Sequence, residues 1–173
     1  MRSVSIFNDQ LYGDSNPAGF ANVFTIGFAT PTAANQTATP LPGMPTTTPN
    51  ASPQSYALFD LPGGPSAIDT AYVADRGDGA AGMPGVHKWT FNGTTWARVA
   101  VLNVATGTPG YRGIAGYAIG STVTLMASTF ETPNRLVVFV DTGTGTPVGT
   151  PVATAVTNTQ FRGVAVSPHF AAP

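Results

Sequence analysis

The chain has 173 residues, the size of one domain or a piece of a larger one. Only 9% of them are Asp, Glu, Lys or Arg, where an average soluble domain has about 25%. Seven basic and eight acidic residues leave a net charge of −1, which excludes a basic nucleic-acid footprint, an acidic tail and a polybasic membrane patch. Cysteine is absent, and with it disulfides, zinc-thiolate sites, iron-sulfur clusters and thiol nucleophiles.

No apolar run reaches the about 18 residues that would suggest a membrane-spanning helix. Met1 to Gln10 lacks the apolar core and small-residue cleavage site of a signal peptide and alternates like a strand from its second residue. It is therefore expected to be the start of a processed or excised piece. No window carries a helical apolar stripe unbroken by Gly, Pro or Thr.

Short β-prone runs follow one another instead. Ser3 to Phe7, Gln10 to Tyr12 and Asn22 to Ile26 are parted by turn residues. A Thr-, Pro- and Ala-rich stretch from Phe28 to Ser55 holds one short strand, around Thr37 to Leu41. Tyr56 to Phe59, Thr70 to Ala74, Gly85 to Phe91 and Trp96 to Val101 form the next four strands, the last two flanking the hairpin signal Asn92-Gly93. Arg112 to Ile119, Thr122 to Ser128, Arg135 to Val140 and Val152 to Val156 form four more. Phe161 to Val166 begins the pattern again.

Tyr111-Arg112-Gly113-Ile114-Ala115 returns as Phe161-Arg162-Gly163-Val164-Ala165, and Arg2-Ser3-Val4-Ser5 is a degenerate copy. The intervening copy, expected near Tyr56, lacks the arginine. Four short antiparallel strands per repeat of 40 to 55 residues is roughly the arithmetic of a β-propeller blade. A β-sandwich also has many short strands but does not require the motif to recur. The expected fold is all-β: a single propeller fragment over 1–173, with blades near 2–55, 56–110 and 111–160. A strand at 161–168 would start or complete another blade.

Arg2 to Tyr12, Asp69 to Asp75, Lys88 to Phe91 and Phe161 to Ala165 resemble the C-terminal half of large secreted bacterial β-propeller proteins of unassigned activity. The resemblance spans Arg2 to Pro168. It implies a propeller fold and an extracellular or cell-surface location. Those proteins are about twice as long, so the chain resembles half a ring.

Candidate sites are few. Asp75 and Asp78 flank Arg76 in a Gly-rich loop and are a candidate calcium site, because calcium takes carboxylate and carbonyl oxygens; a solvated turn with an Asp-Arg pair is the plainer reading. Gly77 to Gly82 matches the dinucleotide pattern, but a strand and not a helix is expected after it. Arg112 and Arg162 start equivalent innermost strands, with Arg2 as a third member, and are a candidate anion site for a carboxylate, phosphate or acidic sugar. The plainer alternative is that each holds a neighbouring blade. His87 and His169 belong to no catalytic or metal-ligating pattern. Trp89, Trp96, Tyr111 and Tyr117 would suit a sugar platform or, more simply, packing between sheets.

The leading expectation is a non-enzymatic structural or binding module without a cofactor beyond the candidate calcium. It is expected to associate with other copies, with filament neighbours or with the remaining half of a propeller, without nucleic acid and without membrane insertion. The competing readings are a metal-assisted hydrolase at the channel mouth and a glycan-binding, lectin-like module.

Overall fold

The computed structural model describes residues 1–47, 52–77 and 83–167. It is all-β: twelve strands and, among the described residues, no helix. The first four strands, β1 (Val4–Phe7), β2 (Gln10–Ser15), β3 (Asn22–Ile26) and β4 (Ala38–Pro40), form one antiparallel sheet in chain order. A second antiparallel meander runs β5 (Pro53–Phe59), β6 (Thr70–Asp75), β7 (Gly85–Phe91) and β8 (Trp96–Val104). A third runs β9 (Tyr111–Ile119), β10 (Thr122–Thr129), β11 (Arg135–Asp141) and β12 (Val148–Thr154).

The last two meanders are not separate sheets. Their final strands, β8 and β12, pair in parallel at Asn103–Val148 and Val104–Gly149. An eight-stranded sheet of order β5-β6-β7-β8-β12-β11-β10-β9 results. It folds back until β5 and β9, its two ends, lie side by side without a ladder, a nearly closed, barrel-like arrangement. Three isolated four-stranded blades are thus not what the hydrogen bonding gives.

Alternation along β6 explains the layering. All six of its residues are buried, because successive side chains enter opposite faces and both faces are covered. Tyr72 and Ala74 enter a core with Phe59, Leu102, Tyr111, Leu125 and Phe139, between the second and third meanders. Ala71 and Val73 enter another with Tyr12, Val23, Leu58, Trp89 and Trp96, against the first sheet. Phe59 meets Tyr72 edge-on at 5.7 Å, and Tyr111 meets Phe139 likewise at 5.8 Å. Large aromatics each contribute about 1.5–3 kcal/mol on full burial, and aromatic pairs favour such T-shaped contacts. Packing is tight where β12 crosses β11. A methyl group at Gly149 would stand 2.5 Å from Val137 Cγ1 and 2.6 Å from Phe139 Cε1.

Several strand boundaries differ from the sequence expectation. β5 begins at Pro53, three residues before Tyr56, so Gln54 is its second residue as Arg112 is the second of β9. β12 begins at Val148, where the parallel pairing with β8 recruits a Gly-, Thr- and Pro-containing run that has no β signature of its own. Residues 161–167 form no ladder. The Asn92-Gly93 hairpin is a four-residue loop between Phe91 and Trp96. Only Gly93 of the pair takes a positive φ, 95°, while the Asn92 side chain accepts the N–H groups of Thr94 and Thr95 at 2.9 Å.

Candidate functional site

The first strand of each meander borders one open groove of about 340 Å³, lined by residues 5–7 of β1, 56–59 of β5, 114–116 of β9 and by Val166. It is mostly apolar, with Ser5 Oγ donating to the Tyr56 hydroxyl at 2.9 Å. Burial, the largest influence, pushes the Tyr56 phenol up to about 12, so it stays protonated.

The arginines collect where these strands begin. Arg2 donates from Nη1 to Gln54 Oε1 at 2.7 Å, so the position that lacks arginine in the second meander supplies an acceptor to the first. Arg112 places its guanidinium 4.2 Å from the centre of the Phe130 ring, and Arg76 lies 5.1 Å from the same ring. Such stacking is favourable for the planar cation. Arg162 lies beside them through its backbone: a methyl group at Gly113 would stand 3.3 Å from the Arg162 carbonyl oxygen. Burial first, then the charges of Arg162 and Arg76, hold the Arg112 guanidinium below its ordinary value. Among the described residues, no carboxylate lies within ion-pair distance of Arg112 or Arg162. Glu131, adjacent in sequence to Phe130, is engaged by Arg135 Nε at 2.5 Å.

Family models, curated proteins and solved structures were compared with the chain, and none matches.

Asp75 is tied into the fold. Its Oδ2 accepts the Ser52 N–H at 2.8 Å and its Oδ1 the Gly77 N–H at 2.7 Å, with His87 Nδ1 at 3.8 Å from Oδ2. Asp78, its expected companion in a calcium site, lies outside the described residues, as does His169. Among the described residues no group of three or more His, Asp or Glu is placed to hold a metal ion. His87 is buried in β7 and donates from Nε2 to the Met83 carbonyl oxygen at 2.6 Å. The element after the Gly-rich loop is β7, not the helix a dinucleotide site requires.

Two features escaped the sequence. Lys88, the chain's one lysine, reaches from the second meander to Asp141 Oδ2 of the third at 2.7 Å, where the Tyr72 hydroxyl also donates at 2.6 Å. The Gly143 N–H donates to Asp141 Oδ1 at 2.8 Å. Burial alone would raise the Asp141 carboxyl, but these donors outweigh it and hold the group below the usual carboxylate range. The second is Asn134, a buried residue whose amide holds the backbone of Phe161. Neither contact has a local sequence signal, because each joins residues far apart in the chain.

Proposed function

We propose that the chain is a non-enzymatic β-propeller module of the extracellular space or cell surface, a structural and binding unit that assembles with other copies or with further blades of the same ring. The observation that carries this reading is the shared groove of β1, β5 and β9. In a propeller, sequence-consecutive four-stranded meanders surround a central channel, and here the first strand of all three meanders meets at one place. The resemblance to secreted bacterial propellers and the low charge support the location.

The open faces support assembly. On the first meander Val4 and Ile6 are exposed; on the third, Met126, Val140 and Val152 are exposed. Apolar faces of this kind are usually covered in soluble proteins. Joining one face to the other by a two-fold rotation would close a ring of six meanders; another rotation would give a filament.

Sedimentation equilibrium at micromolar concentration tests the assembly, with Ile6→Lys and Val140→Lys as variants. A dimer or larger species that reverts to monomer in either variant is expected. A compact, non-aggregating wild-type monomer overturns self-assembly, and electron microscopy showing a closed sandwich without radial sheets overturns the propeller reading.

A further inference from the structure

We propose that Arg112 and Arg162 form a binding site for a sugar carboxylate, a uronate-type ligand, where the 161–167 segment lies against the start of β9. The inference deepens the binding-module reading and rests on it for its biological sense.

Two equivalent arginines are brought together from copies of one motif. The backbone of the second copy is close-packed on the first: a methyl group at Gly113 would stand 3.1 Å from Gly163 Cα. Two hydrogen bonds from the Asn134 side chain fix Phe161, one residue before Arg162. Arg112 is held over the Phe130 ring at 4.2 Å, and the Phe130 N–H is itself bonded to the Gly110 carbonyl oxygen. The Arg112 cation is thus positioned by packed structure, and the backbone that carries Arg162 is tethered, before any ligand arrives, which lowers the ordering cost of binding.

Charge at this end is unbalanced. Arg112 and Arg162 have no carboxylate partner among the described residues, and Glu131 is committed to Arg135. The mutual repulsion is felt at Arg112, whose protonated form is disfavoured by burial and by the Arg162 and Arg76 charges. An anion between the two guanidiniums removes that repulsion and can accept paired N–H donors in the planar fork geometry arginine supplies.

The neighbouring cavity selects the rest of the ligand. It has a volume of about 380 Å³ and is lined by Thr132, Asn158, Thr159, Gln160 and Arg162. That volume lies in the lower part of the range for small-molecule sites, about 300–1,000 Å³. Two hydroxyls and two carboxamides offer both donors and acceptors, which suits a ligand carrying several hydroxyl groups beside its charge. A bare phosphate or sulfate would use the arginines and leave these groups to water.

Calorimetric titration of the full chain at low salt tests the site, using galacturonate and its short oligomers, with galactose, inorganic phosphate and sulfate as separate arms. Uronate is expected to bind, galactose not to bind, and phosphate and sulfate to bind more weakly than uronate. Arg112→Gln and Arg162→Gln should each weaken uronate binding by about tenfold or more, the scale of losing a hydrogen bond to a charged group. Arg98→Gln, on a guanidinium that stacks on Trp89 instead, should leave binding unchanged. Circular dichroism on each variant establishes that it is folded. No uronate binding by the wild type, equal binding by the Gln variants, or phosphate or sulfate binding as tight as uronate overturns the proposal. Absence of uronate binding by a chain that still assembles into a ring overturns this site alone.

Discussion

The side-chain amide of Asn134 brackets the backbone of Phe161, donating from Nδ2 to its carbonyl oxygen at 2.7 Å and accepting its N–H on Oδ1 at 3.0 Å. It does for one residue what a neighbouring strand does for a ladder. Residues 161–167 have no strand pairing, and this side chain tethers the start of the segment. Removing it leaves a donor and an acceptor of Phe161 without their partner, and the Nδ2 bond to the Thr129 carbonyl is lost as well.

Asn134→Ala is therefore expected to release 161–167 while the sheets persist. The cost of leaving buried polar groups unpaired is about 1–3 kcal/mol. Hydrogen exchange measured by mass spectrometry should show faster exchange in the peptide covering 161–167 and unchanged protection in β10 and β11. Identical exchange in both proteins would mean that packing alone holds the segment.

Gly113→Ala approaches the same contact from the other side. The added methyl would meet Gly163 Cα at 3.1 Å and Ser128 Oγ at 3.2 Å, closer than ordinary van der Waals contact. Gly113 also donates its N–H to Ser128 Oγ at 3.2 Å, so that side chain is not free to withdraw. The 161–167 segment, which lacks a strand ladder, is what gives way. Increased proteolysis between Gln160 and Ser167, with thermal stability lowered by less than in Asn134→Ala, is the expected outcome. A variant as resistant as the wild type would show that the segment accommodates the methyl in place.

Lys88 and Asp141 join the second meander to the third, and both are largely or wholly buried. Breaking a buried pair by removing one partner costs about 3–5 kcal/mol. Lys88 keeps some solvent contact, so Lys88→Ala should fall near the lower end of that range in urea denaturation. Asp141 has a folded pKa below its unfolded one, so the pair's contribution is present above about pH 4 and is lost as pH falls through the folded value. The gap between wild type and Lys88→Ala should accordingly narrow in acid. A gap that is constant down to pH 2 would assign the loss to packing of the lysine stem.

Strand order in the sequence was legible because turn residues punctuate it. Gly85 to Phe91 was expected with the bounds it has, and β2, β6, β9, β10 and β11 with bounds within three residues. The failures share one cause. β12 extends back to Val148 because Val148 and Gly149 meet Asn103 and Val104, and no periodicity in Val148 to Pro151 reports that tertiary pairing. Phe161 to Val166 has the strand signature but lacks ladder partners, so its local preference is not realised. Near the candidate arginines, the two copies of the repeated motif meet through their backbones, Gly113 against Gly163 and the Arg162 carbonyl. Phe130, which carries Arg112, sits in a turn with no motif at all.

His87 gives the chain a defined pH response. Burial, the largest influence, lowers its pKa, outweighing the opposing attraction of Asp75 and the bond to Met83; the Arg98 charge lowers it further. The imidazole is neutral in the folded chain at neutral pH, with Nε2–H donating to the Met83 carbonyl oxygen. Above the unfolded value of about 6.5 neither state takes up a proton and stability is indifferent to this group. Below it the unfolded chain binds a proton that the folded chain resists, so stability falls as pH falls until the folded value is passed. His87→Gln does not titrate and keeps an N–H donor within reach of Met83. The variant is expected to be less stable at pH 7.5, because its side chain packs less well. Its melting temperature should nevertheless decline less between pH 7 and pH 5 than that of the wild type. Parallel declines in the two proteins would mean that His87 gains its proton in the folded core as readily as in the unfolded chain, with the Asp75 carboxylate outweighing burial.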